Sequence, residues 1–187
     1  MNTKIGILVG SLRTDSVNRR LAKALIRLAP VTMSLQILEI GALPHYNEDD
    51  EAAPPSAVRE FREAIDKTDG IIFVTPEYNR SVPGVLKNAI DQGSRPKGAS
   101  VWSGRPAGVI GASPGVLGSC MAQQHLRNIL AAVDMPTLGH PEAYVQLAAQ
   151  DFDEAGSLID ESKTRFVQSW LQRFDAWQQR MHLPLAA

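Results

Sequence analysis

Apolar residues along this chain gather into short runs, and between the runs they recur every three or four positions. Lys4-Ile5-Gly6-Ile7-Leu8-Val9 is almost continuously apolar, as expected of a strand covered on both faces. Val17, Leu21, Ala24, Leu25 and Leu28 follow at helical spacing with Arg19, Arg20 and Lys23 between them, which predicts an amphipathic helix. Leu35 to Ile40 reads as a second strand, nearer an edge because it carries Gln36 and Glu39. A loop from Gly41 to Pro55 holds Pro44, Pro54 and an acidic run, Glu48 to Glu51, most simply read as a solvated loop.

Val58, Phe61 and Ile65 mark a second helix, with Arg59, Glu60, Arg62 and Glu63 on its outer face. Gly70 to Thr75 is the clearest strand. Pro83 opens another helix at its tolerated first position, with Ser81 as a plausible cap. Ala107 to Ala112 gives a fourth strand, Met121 to Val133 a fourth helix, and a fifth strand lies within Thr137 to Gln146. The last helix, about residues 157–180, carries Ile159, Phe166, Val167, Trp170 and Phe174 on one stripe. Five βα units in series predict an α/β fold, a five-stranded parallel sheet with helices on both faces. The span 1–187 reads as one domain, with no internal repeat. Ligands in such sheets sit beyond the carboxyl ends of the strands, where strand order reverses. Chemistry is therefore expected after Val9, after Val74 and after Gly111.

Composition narrows the classes. Of 187 residues, 44% are hydrophobic and 21% charged, and 19 Lys+Arg against 20 Asp+Glu leave a net charge of −1. That lacks the basic excess of a protein that holds nucleic acid by its phosphates. The single cysteine, Cys120, cannot close an internal disulfide or build a multi-thiolate metal site. His45, His125, His140 and His182 show no metal-ligand spacing. No apolar stretch approaches the ~18 residues of a membrane span, and Ile5 to Val9 is shorter than a signal-peptide core. A soluble, reduced, cytoplasmic enzyme is the expectation.

Gly10-Ser11-Leu12-Arg13-Thr14-Asp15-Ser16-Val17-Asn18 joins the first strand to the first helix. Free N–H groups and the positive end of the helix dipole favour a phosphate there, and Arg13 can offer it two parallel hydrogen bonds. There is no G-x-x-x-x-G-K-[ST] and no G-x-G-x-x-G, so magnesium-dependent triphosphate hydrolysis and dinucleotide binding of the Rossmann type are not indicated. A plain βα turn whose Ser and Asp only cap the helix is the alternative. The loop after the third strand, Thr75-Pro76-Glu77-Tyr78-Asn79-Arg80-Ser81-Val82-Pro83-Gly84, is polar, stiffened by prolines and carries an aromatic ring. It suits a flat heteroaromatic ligand addressed by main-chain N–H groups, or it is a long turn whose Tyr packs on the core.

Together these segments carry a resemblance. Gly10-Ser11-Leu12-Arg13-x-x-Ser16-x-Asn18, then Pro76-Glu77-Tyr78-Asn79-x-Ser81-x-Pro83-Gly84-x-Leu86-Lys87-Asn88-Ala89-Ile90-Asp91, then Ser113-Pro114-Gly115-x-x-Gly118 with His125-Leu126-Arg127, resemble the NAD(P)H-dependent flavin mononucleotide (FMN) reductases. That family includes flavodoxin-like quinone, azo-dye and chromate reductases. The match runs in order from about Lys4 to Val145. It implies a flavodoxin-like, doubly wound sheet with Ser11, Arg13, Ser16, Val17 and Asn18 around the flavin phosphate. Pro76, Glu77, Tyr78 and Asn79 would lie along the isoalloxazine ring and Ser113 at its other side. Homodimers or homotetramers with the flavin near a subunit interface are implied as well. Ser119 departs from the pattern, since many relatives carry a second glycine there.

The resemblance also implies a chemistry: NADPH or NADH passes a hydride to flavin N5, the nicotinamide leaves, and an acceptor takes its place. The cofactor carries that reaction, so no catalytic side chain is required, and Glu77 reads as an exposed loop carboxylate rather than an acid. Arg80, Arg95 and Lys97 are the basic residues nominated for a 2′-phosphate. Asp91 and Arg95 either pair across a subunit boundary or are solvated. Trp102 either covers the flavin or a partner, or packs under its own loop. Two rival readings are a flavin electron carrier, for which the −1 charge supplies no docking field, and a flavin-free nucleotide-binding module.

Overall fold

A computed structural model describes residues 2–181; His182 and the rest of the C-terminus lie outside them. Five parallel strands form one sheet: β1 (Thr3–Val9), β2 (Met33–Ile37), β3 (Gly70–Val74), β4 (Ala107–Ser113) and β5 (Ala143–Gln146). Their order is β2-β1-β3-β4-β5. The helices between and after them are α1 (Val17–Leu28), α2 (Ser56–Asp66), α3 (Gly84–Ser94), α4 (Cys120–Ala132) and α5 (Glu161–Met181). Chain order reverses at β1, which pairs with β2 on one side and β3 on the other. This is the flavodoxin-like arrangement, and its crevice lies beyond the carboxyl ends of β1 and β3.

The strands alternate between two cores. Ile5, Ile7, Val9, Ile72 and Val74 face α1 and α5, meeting Leu21, Leu25, Val167, Trp170 and Phe174. Leu8, Ile71, Phe73 and Val109 face the opposite layer, meeting Phe61, Ile65, Leu86, Ile90, Leu126 and Trp102. Burial on both faces accounts for the unbroken apolar character of β1 and β3. Among the described residues, no helix is long and apolar enough to cross a membrane.

Several boundaries differ from the sequence reading. The second strand starts at Met33 and ends at Ile37, not Leu35 to Ile40. Leu38 still donates its N–H to Ile7 at 2.9 Å, then the chain turns away while Leu38 and Ile40 stay buried. Hydrophobicity there marked burial under α2, not ladder pairing. Pro83 precedes α3 as its cap residue at φ −56° and ψ 139°, with no side-chain cap, and Ser81 bonds elsewhere. The last helix begins at Glu161 rather than near 157. Ile159 is 61% and Phe166 38% exposed, so neither belongs to the buried stripe. The acidic loop holds one 3-10 turn, Glu48–Asp50, with all of its residues outside the core.

Candidate active site at the strand carboxyl ends

Three loops converge beyond β1, β3 and β4. The first leaves β1 at Gly10, whose N–H donates to Val74 O at 2.9 Å. A Cβ at Gly10 would stand 3.2 Å from both Leu86 Cδ2 and Pro76 Cδ, so the missing side chain lets the loops after β1 and β3 touch. Ser11 is buried, and its Oγ lies 3.5 Å from the Tyr78 hydroxyl. Ser16 is buried too and caps α1, accepting from Arg19 N at 3.3 Å. The N–H groups of Val17 and Asn18, in the first turn of α1, have no intrahelical acceptor. Arg13 is exposed and donates to the Asp15 carbonyl. Two buried hydroxyls, two helix-end N–H donors and a guanidinium on one turn fit a phosphate dianion.

Asn18 has a different part from the one its motif suggests. Its Nδ2 donates to Ala112 O and its Oδ1 accepts from Ala112 N, both at 2.9 Å and buried. The side chain thus pins α1 to the end of β4, leaving its main-chain N–H as the group free to face the crevice. The pairing also fixes the adjacent Ser113, whose Oγ donates to Gly115 O at 3.0 Å.

The loop after β3 folds back as a two-residue turn. Tyr78 and Ser81 exchange main-chain hydrogen bonds at 3.1 and 3.0 Å, and between them Asn79 and Arg80 both sit at positive φ, 51° and 63°. Asn tolerates that region; for Arg it costs roughly 1–2 kcal/mol. The flanking contacts hold the turn in place. Ser81 Oγ stands 3.0 Å from His125 Nδ1 on α4, which is where the hydroxyl read as a cap for α3 has gone. The Tyr78 ring is half exposed at the crevice rim, and Pro76 is buried beneath.

Glu77 is not a free loop carboxylate. Its Oε2 accepts from Met121 N at 3.0 Å and Ala122 N at 3.2 Å, so it caps α4 from 44 residues away in sequence. Ser119, at the head of α4, has φ +67° and supplies no side-chain cap. This left-handed conformation is one that glycine adopts without strain. Ser119 is held there by Gln123, whose buried Nε2 donates to Ser119 Oγ at 3.1 Å and Ala143 O at 2.9 Å. Gly118 cannot vary: at φ +51°, a Cβ would fall 2.5 Å from the Tyr144 carbonyl carbon. Glu77 as a cap had no local signal, because its partners lie on α4, and for Gln123 as a brace only the Ser119 half was within local reach, the other partner, Ala143, lying on β5.

An ion pair stands on the first turn of α1, beside the loop after β1. Arg19 bonds both oxygens of Glu39, and that hydrogen bonding holds the Glu39 carboxyl below its ordinary range and the Arg19 guanidinium above its own. Of the other residues weighed from sequence, Trp102, Asp91, Arg95 and Lys97 lie apart from the Tyr78 turn, while Arg80 is part of it. Trp102 is fully buried, donating Nε1–H to Ile90 O at 2.8 Å and packing on Phe61 and Phe73. Packing under its own loop is therefore its role. Asp91 pairs with Lys87 at 2.7 Å, and Arg95 stands 5.8 Å over the Tyr46 ring at the far end of α3. Arg80 is exposed beside Tyr78, and Lys97 is exposed beyond α3.

A crevice at the strand-order reversal, with hydroxyls, helix-end N–H groups and a guanidinium at one end and a rigid aromatic-bearing turn at the other, has the form of a flavodoxin-like nucleotide site. Comparison with known proteins narrows the class. Residues 3–150 match the family described as NADPH-dependent FMN reductase. The chain is 51% identical over 174 residues to a quinone reductase of Pseudomonas putida, covering 92% of this chain and 93% of that one. It is 44% identical over 177 residues to a 2-hydroxy-1,4-benzoquinone reductase of a Burkholderia species, covering 95% and 97%. The solved structure of FerB, a flavoenzyme NAD(P)H:(acceptor) oxidoreductase from Paracoccus denitrificans, superposes with a TM-score of 0.92 at 42% identity, covering 97% of this chain and all of that one. The chain belongs to the NADPH-dependent FMN reductase family. It is an oxidoreductase whose cofactor is FMN and whose electron donor is a nicotinamide nucleotide.

Proposed function

We propose that this enzyme oxidises NADPH or NADH and delivers the electrons, through FMN bound in the crevice, to quinones and comparable planar acceptors. The carrying observation is the convergence of Ser11, Ser16 and the α1 N-terminus with the Tyr78 turn at the strand-order reversal. On this reading the Ser11 and Ser16 hydroxyls, the Arg13 guanidinium and the N–H groups of Val17 and Asn18 hold the phosphate. The Pro76–Asn79 segment would lie along one edge of the ring and Ser113 would border the other. The flavin supplies hydride acceptance and release at N5. The protein's own work is orientation: the Glu77 cap and the Ser81–His125 contact keep main-chain donors of the turn fixed, so no reorganisation is needed when charge develops on the ring.

With FMN bound, the same exposed face at the Tyr78 turn would serve donor and acceptor in turn, and the cycle would be ping-pong. Leu12, Tyr78, Val116 and Leu117, 58%, 50%, 80% and 51% exposed, give the carboxyl-end loops an apolar rim. That rim supports assembly as a homodimer or homotetramer around the site, measurable by light scattering. The function is tested by an anaerobic absorbance spectrum of FMN-reconstituted protein before and after NADPH, then NADH. Bleaching of the oxidised band, restored by a quinone, is expected; a bound flavin that stays yellow would make the protein an electron carrier instead. Arg13→Ala should weaken FMN about tenfold to a hundredfold, since hydrogen bonds to charged groups contribute ~1.5–3 kcal/mol. Unchanged affinity would move the phosphate site elsewhere.

A further inference from the structure

The turn that carries Tyr78 ends in a residue that its geometry does not favour. Tyr78 and Ser81 close the turn with paired main-chain hydrogen bonds, and the second tip position, at φ 63°, belongs to Arg80. Glycine takes such a position freely, whereas a residue with a Cβ is held there at a cost. Strain of this kind at the mouth of a crevice points to a use for the side chain. Among the described residues, the exposed Arg80 guanidinium makes neither a hydrogen bond nor an ion pair. The one acid of its loop, Glu77, gives its Oε2 to Met121 N and Ala122 N. Arg13 and Arg19, at the phosphate end, are engaged by Asp15 O and Glu39. The base from which Arg80 projects is fixed on both sides, by the Glu77 bonds to α4 and by Ser81 Oγ at 3.0 Å from His125 Nδ1. The ring end of the crevice thus carries a cation without a counter-ion, beside the half-exposed ring of Tyr78.

An aromatic face and an unpaired guanidinium two residues apart match a ligand with a flat apolar body and an anionic substituent. A neutral acceptor would use the Tyr78 ring and leave the guanidinium to water. We propose that Arg80 sets specificity on the acceptor side, favouring planar acceptors with a fixed negative charge, such as sulfonated or carboxylated quinones, over neutral ones of the same ring. This rests on the function proposed above and names the acceptor class for that same crevice. A singly charged group needs only the one guanidinium, whereas the loop after β1 gathers hydroxyls, N–H groups and a guanidinium for a phosphate dianion.

The test uses FMN-loaded full-length protein and two acceptors built on one bicyclic ring, neutral 2-methyl-1,4-naphthoquinone and anionic 1,4-naphthoquinone-2-sulfonate. The quantity read is the kcat/KM for the sulfonate divided by that for the neutral quinone, so that any general effect on flavin or donor cancels. Arg80→Gln should lower this ratio about three- to tenfold, and Arg80→Lys should keep most of it. Added salt should lower the ratio in the parent but not in Arg80→Gln, because exposed charges are screened. Naphthalene-2-sulfonate, which accepts no hydride, should perturb the absorbance of the bound flavin with a Kd that rises by the same factor in Arg80→Gln. An unchanged ratio in Arg80→Gln overturns the proposal, as does an equal loss in Arg80→Lys. A KM that rises for NADPH but not for NADH, with the acceptor ratio held, overturns it too by giving the guanidinium to the donor's 2′-phosphate. Parent protein that passes electrons to neither quinone would overturn the functional reading itself, and shows this before any variant is compared.

Discussion

Replacing Glu77 separates a structural carboxylate from a chemical one. In the folded chain one oxygen accepts two N–H groups in the first turn of α4, at 3.0 and 3.2 Å. It joins the Tyr78 turn to that helix. Caps of this kind contribute about 0.5–2 kcal/mol, and a negative charge at a helix N-terminus adds ~0.3–1 kcal/mol. Glu77→Ala should therefore cost about 1–2 kcal/mol. At 2–4 °C per kcal/mol for a chain of this size, Tm should fall by about 2–8 °C. Glu77→Gln keeps an acceptor and loses only the charge, so its fall should be the smaller. FMN should bind more weakly in both, in the same order, because the turn loses its anchor. Thermal unfolding and FMN titration of the two variants read this directly. If Glu77→Gln kept the parent Tm and FMN affinity but reduced flavin reduction by NADPH a hundredfold, the carboxylate would be acting on the reaction and the capping account would be wrong.

Asn18→Ala leaves both main-chain groups of Ala112 without their buried partner. At ~1–3 kcal/mol for each unpaired group, Tm should drop by at least about 4 °C. A parent-like Tm with weakened FMN would instead make the amide a direct ligand. Trp102→Ala should lose about 3–5 kcal/mol in urea unfolding, because the ring is fully buried between Phe61 and Phe73; weakened FMN at unchanged stability would return Trp102 to the flavin. Asp151 bonds Lys163 Nζ and Ala148 N, both at 2.7 Å, and the Lys163 hydrogen bond is the main cause of its lowered pKa. A depressed carboxylate stabilises fully above its unfolded value near 3.9 and loses that contribution as pH falls through the lower folded value. Asp151→Asn should thus reduce stability at neutral pH by a few tenths to about 1 kcal/mol, the range for a solvent-accessible pair. The same change should flatten the pH dependence below pH 4, as followed by unfolding between pH 2 and 7.

Much of the fold was legible because its signals are local. The doubly covered strands β1 and β3 show as unbroken apolar runs, and α1 and α2 as apolar positions repeating every three or four residues, whatever their neighbours are. The parallel sheet then follows from alternation of the two, since crossover connections leave few topologies. The grouping of Ser11, Arg13 and Ser16 was legible too: they come in one run between a strand and a helix, so the chain itself holds them together. Boundaries that depend on pairing were less so, as β2 shows; Leu38 and Ile40 are apolar because α2 covers them, not because a strand continues.

What only the tertiary structure decided are the functions of side chains whose partners lie far along the chain. Glu77 reads locally as a solvated acid and becomes a helix cap only when α4 arrives against its loop. Asn18 reads as one more polar group in a phosphate motif, yet its amide faces Ala112, 94 residues on. Trp102 could cover a ligand until Gly93, Phe61 and Phe73 are seen around it. The charge of Arg80 is written in the sequence, but that Glu77, three residues before it, is spent on α4 shows only in the fold. Periodicity and composition encode what a residue does to its own segment. Hydrogen bonds and cavities between segments depend on distances the sequence does not carry until the chain has folded.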